Sequence, residues 1–367
     1  MFDLSPTTRH RRSPFFEATV AAGARSFSPY NQMLMPTGFG DPEAEYWRLI
    51  KGVSQWDVAV ERQVQIVGPD AARLAQILSP RDLTNCAIGQ GKYVALCNHA
   101  GTLINDPIVL KLDDDRFWFS VADSNILFWF RAIAAERGLD VEIVEPDVSP
   151  MAVQGPKAED VVASIFGSWV RDLRSFWFRE TRVEGIPVVV ARSGFSKQGG
   201  FELYLLDGAK GTALWNIVHK AGRPWDIGPG SPSPVERVES GLLAYGGDTD
   251  DATNPFEVRL GKFVDLDVPD HVVGIEALRR LHDDGPARRQ LGIILDGDRP
   301  AKTHAHWYDI LWDGRKVGDM TNGVWSYRLE RNIGYALISR DRAPGDRVDV
   351  MTENERISAT LTELPFL

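Results

Sequence analysis

The sequence of 367 residues predicts an α+β fold followed by an all-β segment. Over roughly the first 220 residues, helical stretches alternate with strands joined by short turns, which favours mainly antiparallel pairing. The last 80 or so residues show only short strands and turns, which is typical of a β-barrel or a β-sandwich. We place the boundary at Asp284-Gly285-Pro286, so the predicted segments are 1–285 and 286–367.

Individual elements follow from apolar periodicity and from turn residues. We predict helices over 14–23, 41–52, 70–78, 123–137, 155–166, 208–221, 232–247 and 275–283. In the first segment we predict strands over 58–67, 92–97, 102–111, 117–121, 141–145, 151–153, 176–183, 186–192 and 200–206. In the last segment we predict strands over 289–295, 307–312, 315–320, 332–337, 347–351 and 356–363. We interpret 28–36 as a loop, and because it is unusually apolar we expect it to cover another part of the protein.

A faint repeat links two of these units. Ile66-Val67-Gly68-Pro69-Asp70 and Val153-Gln154-Gly155-Pro156-Lys157 each stand between a predicted strand and a predicted helix. The repeat suggests two similar subdomains within the first segment.

Composition narrows the class of protein. The net charge of −10 argues against non-specific nucleic-acid binding, which depends on a basic face. No apolar run approaches the length of about 18 residues that indicates a membrane span, so we expect a cytoplasmic protein without a membrane partner. Cys86 and Cys97 predict neither a disulfide framework nor a zinc site, and His99, His304 and His306 lack ligands at suitable spacing, so we expect no metal.

The most informative stretch is 191–204, where a glycine-rich turn leads into an apolar strand that contains one carboxylate, Glu202. A carboxylate at such a position needs a partner. One candidate is a ligand with paired N–H donors, such as the edge of a pterin or a guanidine-like ring, which would give two charge-assisted hydrogen bonds. The alternative is a glutamate in a surface ion pair.

Several phrases, spread over nearly the whole chain, resemble the glycine-cleavage T-protein (aminomethyltransferase) superfamily. They are Ile66-Val67-Gly68-Pro69-Asp70-Ala71, Asn98-His99-Ala100-Gly101-Thr102-Leu103-Ile104-Asn105-Asp106, Arg237-Val238-Glu239-Ser240-Gly241, Asn254-Pro255-Phe256-Glu257 and Val317-Gly318-Asp319-Met320-Thr321-Asn322-Gly323. A second set resembles the dimethylsulfoniopropionate demethylase branch of that superfamily. This set comprises Tyr30-Asn31-Gln32-Met33, Glu61-Arg62-Gln63-Val64, residues 192–202 and Gly241-Leu242-Leu243-Ala244-Tyr245-Gly246.

The resemblance implies two α+β subdomains around a central folate channel, plus a C-terminal β-barrel. It also implies tetrahydrofolate as the methyl acceptor, with Glu202 holding the pterin and with Tyr204, Tyr93 and Arg237 near the folate. For Arg237 the alternative is a helix ion pair involving Glu236 or the surroundings of Glu239, and for Tyr204 it is ordinary packing.

The catalytic positions implied by the resemblance are Asn105 and Asp106, where aminomethyltransferases show paired aspartates. Asn105 departs from that pattern. After a sulfonium donor has given up its methyl group, the remainder leaves as a neutral thioether and needs no proton. Asparagine in place of the first aspartate fits this chemistry. The alternative is that Asn105-Asp106-Pro107 forms a turn or the end of a strand.

The implied substrate is a small zwitterion that carries a sulfonium and a carboxylate. Aromatic faces bind such cations, and the candidates are Tyr30, Trp56, Phe195 and Trp177, with core packing as the alternative for each. Arg62 and Lys197 are candidates for the carboxylate. The expected products are 3-(methylthio)propionate and 5-methyltetrahydrofolate.

Other functions on the same fold stay open. One is an aminomethyltransferase or a folate-dependent N-demethylase with a betaine or sarcosine-type substrate. A second is a folate-binding maintenance protein linked to iron–sulfur assembly, although its functional cysteine has no counterpart in residues 195–200. We allow for a homodimer.

Overall fold

A computed structural model describes residues 7–300, 306–353 and 355–367. Its α-helices are α1 Phe16–Ala21, α2 Pro42–Lys51, α3 Ala71–Leu78, α4 Leu127–Glu136, α5 Ala158–Phe166, α6 Gly211–Gly222, α7 Pro234–Glu239 and α8 Ile275–Asp284. The strands up to the end of the predicted first segment are β1 Ser26–Tyr30, β2 Met33–Gly38, β3 Ser54–Asp57, β4 Gln63–Val67, β5 Gln90–Tyr93, β6 Leu96–Cys97, β7 Leu103–Asn105, β8 Ile108–Asp113, β9 Arg116–Ser120, β10 Glu142–Val144, β11 Ser149–Gln154, β12 Phe178–Val183, β13 Ile186–Ala191, β14 Gly200–Leu205 and β15 Gly228–Gly230. The remaining strands are β16 Arg288–Leu295, β17 Tyr308–Trp312, β18 Arg315–Ser326, β19 Arg331–Ser339, β20 Arg347–Met351 and β21 Arg356–Thr362.

The chain forms two compact units that are discontinuous in sequence. The first comprises Met1–Ala72, Cys86–Lys92 and Ile108–Pro232. The second comprises Arg73–Asn85, Tyr93–Pro107 and Ser233–Leu367.

A six-stranded sheet with the order β12-β13-β14-β11-β3-β15 positions the most informative stretch of the sequence. Its pairs are antiparallel except for β15 with β3. Side chains alternate across a strand, so Phe201, Leu203 and Leu205 of β14 join the apolar core that α1, α5 and α6 cover. Glu202 and Tyr204 therefore project from the opposite face of the sheet.

The second sheet of the first unit has the order β10-β4-β9-β8-β5. Trp118 of β9 packs against Tyr204 of β14, with ring centroids 6.3 Å apart, inside a cluster that also includes Leu110 and Val189. This contact joins the two sheets within the first unit and leaves the polar side chains of β14 between them.

The repeated phrases occupy the same structural position. Gly68 follows β4 and Gly155 follows β11, and each glycine precedes a helix. The φ of Gly68 is +135° and that of Gly155 is +119°. A Cβ atom on Gly68 would lie 2.7 Å from the carbonyl oxygen of Asp140, so glycine is required there for space as well as conformation. The two phrases therefore make the same strand-to-helix turn.

The second unit contains the C-terminal barrel, which closes in the order β16-β19-β18-β17-β20-β21. Its interior is filled by apolar side chains such as Ile293, Ile310, Ile338 and Val350. The predicted α+β class with a C-terminal barrel is confirmed, and a sandwich is excluded by the closure. The predicted boundary at 285/286 falls between α8 and β16 and stays a prediction.

Several predicted elements are wrong in part. The predicted strand over 58–67 begins only at Gln63, as β4. Asp57 at the end of β3 accepts a hydrogen bond from the amide of Ala59, and the chain turns between β3 and β4. The predicted helix over 232–247 ends at Glu239, since Gly241 takes a φ of +72°.

The predicted loop over 28–36 is instead the hairpin of β1 and β2. Its turn residues Asn31 and Gln32 both have positive φ, at 48° and 61°. The Asn31 side-chain amide donates to the carbonyls of Val60 and Ala122, which holds the turn in this conformation. The preference of asparagine for left-handed backbone was the signal available in the sequence.

Candidate active site

Glu202 is a buried carboxylate in β14, with 2% of its surface exposed. Its Oε2 accepts hydrogen bonds from the Ser193 hydroxyl and from the Tyr204 hydroxyl, the latter at 3.0 Å. Within the described residues no Arg, Lys or His side chain pairs with Glu202, and its Oε1 accepts no hydrogen bond. The predicted alternative of a surface ion pair is therefore wrong.

Burial raises the pKa of Glu202, and the bonds from Ser193 and Tyr204 oppose that rise. Burial also raises the pKa of Tyr204, and the nearby Glu202 and Glu61 carboxylates raise it further, so the phenol stays a hydrogen-bond donor. A buried carboxylate without a positive partner is costly to keep ionised. A ligand that brings paired N–H donors to Oε1 would stabilise the charged form.

The strands beside Glu202 carry small side chains at the matching positions. Ala191 of β13 and Ala152 of β11 both pair in register with Glu202. Alanine projects a single carbon from the sheet, so the side chains beside Glu202 on both neighbouring strands are small. Small neighbours and an oxygen that accepts no hydrogen bond are what the edge of a flat ring with N–H donors would require.

Asp106 and Tyr93 come together in the second unit. The Tyr93 hydroxyl donates to Asp106 Oδ2 at 2.7 Å, and the Tyr93 ring packs edge-on against Phe263 at 4.8 Å. Burial raises the pKa of Asp106 to about 7, with the Asp248 carboxylate adding to the rise and the Tyr93 bond opposing it. A carboxyl group with that pKa exchanges protons near neutral pH.

Asn105 is fully buried as the last residue of β7, where it pairs with Leu96 of β6. Asp106 follows it directly, outside the strand. The predicted strand over 102–111 thus divides at Asp106-Pro107 into β7 and β8. The alternative interpretation, in which a strand ends at Asn105-Asp106-Pro107, is correct for the backbone. It does not exclude a chemical role for the Asp106 carboxyl group.

Arg237 is bound to a partner that we did not predict. Its Nη1 lies 2.5 Å from Oδ2 of Asp248, which also accepts from the Ala244 amide at 2.8 Å. Glu239, which lies in the same helix as Arg237, pairs with Arg328. The pair of Arg237 with Asp248 holds the turn over 242–248, and a contact of Arg237 with folate stays a prediction.

The predicted substrate residues lie in different surroundings. Trp56 is 1% exposed, and its indole N–H donates to the Ser54 hydroxyl at 2.8 Å. The Trp177 ring already faces a cation, because the Arg174 guanidinium lies 4.3 Å from its centroid. Arg62 pairs with Glu145, so its charge is also matched within the protein. Burial would raise the pKa of Glu145, but the bonds from Arg62 and Arg11 outweigh it and lower this pKa.

Tyr30 and Phe195 are the remaining aromatic candidates. Tyr30 ends β1 and lines a surface cleft with Arg9, His10 and Arg11. Phe195 is half-buried in the glycine-rich loop that also carries Ser193. Phe195 is thus two residues along the chain from Ser193, whose hydroxyl donates to Glu202.

His304 lies outside the described residues, and His306 lies beside Glu353, with Nδ1 and Oε1 3.6 Å apart. Among the helices of the described part of the chain, none has the length and apolar character needed to cross a membrane.

Sequence reasoning missed three residues of these sites. Ser193 lies within the motif over 192–202, and its position at the start of a glycine-rich loop was the available signal. The phrase that contains Gln154 predicts a turn and gives no role to the Gln154 side chain. Asp248 follows two glycines, Gly246-Gly247, which indicated a turn but not an arginine partner.

Two sheets followed by a closed six-stranded barrel define an aminomethyltransferase-type fold. The solved structure of glycine cleavage system aminomethyltransferase T from Bartonella henselae matches with a TM-score of 0.84 at 22% identity, covering 97% of this chain and 98% of that one. Residues 15–268 match the GCVT N-terminal domain, and residues 288–367 match the glycine cleavage T-protein C-terminal barrel domain. The chain belongs to the glycine-cleavage T-protein family.

Within the family, the similarity is graded. The chain is 42% identical to the dimethylsulfoniopropionate demethylase DmdA of Ruegeria pomeroyi over 364 residues, covering 99% of both proteins. It is 29% identical to an aminomethyltransferase of Symbiobacterium thermophilum, covering 97% of both. The resemblance to the demethylase branch is thereby confirmed.

Proposed function

We propose that the chain is a tetrahydrofolate-dependent demethylase of dimethylsulfoniopropionate. The products are 3-(methylthio)propionate and 5-methyltetrahydrofolate. The observation that carries the proposal is the Glu202 site, a buried carboxylate with a free oxygen and no positive partner among the described residues. The 42% identity to a demethylase over 99% of the chain supports the choice of donor.

Tetrahydrofolate supplies the nucleophile, N5, when it is bound. The bond between sulfur and one methyl carbon breaks, and its electron pair stays on sulfur as a neutral thioether. The new bond joins that carbon to N5, and the N5 proton is released. The charge balances without an acid for the leaving group, so positioning and exclusion of water dominate the catalysis.

Glu202 orients the acceptor in this proposal. Its Oε1 accepts from the pterin N–H groups, while Ser193 and Tyr204 occupy Oε2 and fix the plane of the carboxylate. Charge-assisted hydrogen bonds of this kind are each worth about 1.5–3 kcal/mol.

The released proton needs an acceptor, and for this role we take Asp106, a catalytic position that the family resemblance implies. Its pKa of about 7 lets the ionised form exist at neutral pH and lets the protonated form persist after transfer. Tyr93, which donates to Asp106 Oδ2, favours the ionised form before the reaction. Asn105 lacks the charge of an aspartate, in keeping with a donor that departs as a neutral group.

Phe195 is our first choice for the sulfonium. A cation over an aromatic face gains about 0.5–2 kcal/mol, depending on desolvation. Trp177 already has Arg174 over its ring, and Trp56 is enclosed in a cluster with Leu49 and Ala152. Tyr30 stays a second candidate, and Lys197 in the same loop as Phe195 is a candidate for the substrate carboxylate.

An aminomethyltransferase or folate-dependent N-demethylase is the second candidate function. The relative from Symbiobacterium thermophilum, matched over 97% of the chain, favours it. Such an enzyme would yield 5,10-methylenetetrahydrofolate from an amine donor. The folate product distinguishes the two functions because one carries a methyl and the other a methylene group.

The test is a substrate panel with tetrahydrofolate under anaerobic conditions. The purified chain is mixed with dimethylsulfoniopropionate, glycine betaine or sarcosine, and the folate product is identified by mass spectrometry. We expect 5-methyltetrahydrofolate and an equal amount of 3-(methylthio)propionate with the sulfonium alone. Methylenetetrahydrofolate from an amine, or no folate product with the sulfonium, would overturn the proposal. The cytoplasmic location and the homodimer stay predictions.

A further inference from the structure

One buried amide, that of Gln154, lies inside the glycine-rich loop over 193–200. Gln154 ends β11 and is 1% exposed. Its Nε2 donates to the carbonyl of Ser193 at 3.1 Å and to that of Phe201 at 3.4 Å, and its Oε1 accepts from the Ser196 hydroxyl at 2.8 Å. A single side chain therefore bonds the start, the middle and the end of the loop.

Two glycines of this loop, Gly194 and Gly200, lie directly against that side chain. They have φ of +150° and +149°, which other residues rarely adopt. A Cβ on Gly200 would lie 2.3 Å from the carbonyl oxygen of Val153 and 2.6 Å from Gln154 Nε2, and a Cβ on Gly194 would overlap the Gln154 amide. The backbone thus wraps directly around Gln154, and the glycine pattern of the sequence reflects this contact.

The start of the loop matters because of Ser193. Its carbonyl accepts from Gln154, while its hydroxyl donates to Oε2 of Glu202. The far end of the loop has a separate anchor, since the Gly199 carbonyl accepts from the Gly155 amide at 2.9 Å. Loss of the Gln154 amide should therefore loosen the Ser193 end more than the Gly199 end.

We propose that Gln154 is a positioning residue, which holds the loop so that Ser193 occupies Oε2 of Glu202 and leaves Oε1 for the acceptor. The inference rests on the proposed function, because it assigns Gln154 a part in tetrahydrofolate binding. Gln154 acts through Ser193 and is not itself a catalytic residue. The same arrangement places Phe195 within a loop of defined shape.

The experiment is a double-mutant cycle on tetrahydrofolate affinity, with Gln154→Met, Ser193→Ala and the double variant. Methionine keeps the length of the side chain and removes both donors. We expect each single variant to weaken the Kd for tetrahydrofolate about tenfold, as is typical of a lost bond to a charged group. We expect the double variant to lose no more than the weaker-binding single variant, because both changes remove one interaction.

Asn332→Leu is the matched control. Asn332 is also a buried amide that donates to two loop carbonyls, those of Gly297 and Asp298, but it belongs to the barrel. We expect it to lower the melting temperature and to leave the Kd unchanged. Steady-state kinetics should show a raised KM for tetrahydrofolate in Gln154→Met with a smaller change in kcat.

The outcomes separate the two proposals. If wild-type protein does not bind tetrahydrofolate, the proposed function fails. If wild-type protein binds and Ser193→Ala weakens binding, but Gln154→Met binds within twofold of wild type or the two effects multiply, only the role of Gln154 is overturned. Should Gln154→Met not fold, Gln154→Glu keeps the acceptor for Ser196 and removes the two donors, and the same results are expected of it.

Discussion

Glu202 in the first unit and Asp248 in the second unit are both buried carboxylates, and their partners differ. Asp248 is bonded to the Arg237 guanidinium at 2.5 Å and to a backbone amide. Glu202 is bonded only to hydroxyl groups, from Ser193 and Tyr204. A charge matched within the protein serves the fold, whereas a charge that only neutral donors support can still be matched by a ligand.

The same contrast sorts other buried carboxylates. Glu239 pairs with Arg328, and Glu257 pairs with Arg288 at 2.8 Å. Asp106 is held by the neutral phenol of Tyr93 and, among the described residues, has no cationic partner. Buried carboxylates with an arginine partner thus have their charge matched within the protein, and two of those without one coincide with the positions implied by the family resemblance.

Glu202→Gln should have the largest effect and tests the contrast most directly. The amide keeps the shape but replaces one acceptor oxygen and removes the charge. Because charge-assisted bonds are worth about 1.5–3 kcal/mol, we expect tetrahydrofolate affinity to fall about 100-fold. Isothermal titration calorimetry under anaerobic conditions measures it.

Glu257→Gln is the matched comparison, since it breaks the ion pair with Arg288. We expect a lower melting temperature with an unchanged Kd for tetrahydrofolate, whereas Glu202→Gln should leave the melting temperature unchanged or raise it. The contrast between the two kinds of carboxylate would be broken if both variants lost stability and neither lost affinity.

Asp106→Asn should have the next largest effect, about tenfold or more on kcat, which is the low end of the range for proton transfer. The wild-type rate should rise with pH through about 7, because the ionised form of Asp106 receives the proton. Tyr93→Phe should move this rise to higher pH, since the Tyr93 bond lowers the pKa. Measuring kcat of both proteins at a series of pH values from about 5.5 to about 9 checks the two expectations.

Asp106→Asn should show no such rise. An unchanged profile in Asp106→Asn would assign the proton to another group and would reduce Asp106 to a structural residue. An unmoved profile in Tyr93→Phe would show that their hydrogen bond does not control the ionisation.

Asp57→Asn should have the smallest effect, and it bears on stability. Asp57 also lacks an arginine among the described residues, but the Ser13 hydroxyl at 2.5 Å and the Ala59 amide satisfy it. Burial raises its pKa from 3.8 to about 6, and these two bonds oppose the rise. Its contribution to stability is therefore complete below pH 3.8 and is lost as pH rises through about 6.

We expect the wild-type free energy of unfolding to fall by about 1 kcal/mol more than that of Asp57→Asn between pH 5 and pH 8. Urea unfolding at the two pH values measures the difference. Parallel pH dependence of the two proteins would contradict the raised pKa. Unchanged folate affinity in Asp57→Asn would sharpen the contrast between the two kinds of buried carboxylate. A carboxylate without an arginine partner would then indicate a ligand site only where one of its oxygens also accepts no hydrogen bond.

Elements with a clear period or a clear terminal signal were predicted well. Asp41 caps α2 through the amide of Glu43, and the predicted helix over 41–52 matches Pro42–Lys51. The strands over 186–192 and 200–206 match β13 and β14 to within a residue because their apolar faces are continuous. The predicted helix over 232–247 failed because its apolar pattern persisted beyond Glu239, although Gly241 and Asp248 turn the chain there.

The sequence by itself determined the class of the fold and the position of the anomalous carboxylate. Alternation of apolar residues sets which face of β14 is buried, and local turn chemistry sets where strands end. It also carried the family through ordered motifs. These are properties of short stretches of chain, so they can be read without knowledge of distant neighbours.

Only the tertiary structure decided which charges are already matched. Arg174 over Trp177, Glu145 beside Arg62 and Gln154 inside the glycine loop all join residues whose pairing sequence reasoning did not anticipate. A charge or an amide can be satisfied by any complementary group that folding brings within about 3 Å, and sequence distance does not limit that choice. That is why Glu202 was recognised from the sequence as needing a partner, and why only the structure shows that its partners among the described residues are the neutral hydroxyls of Ser193 and Tyr204.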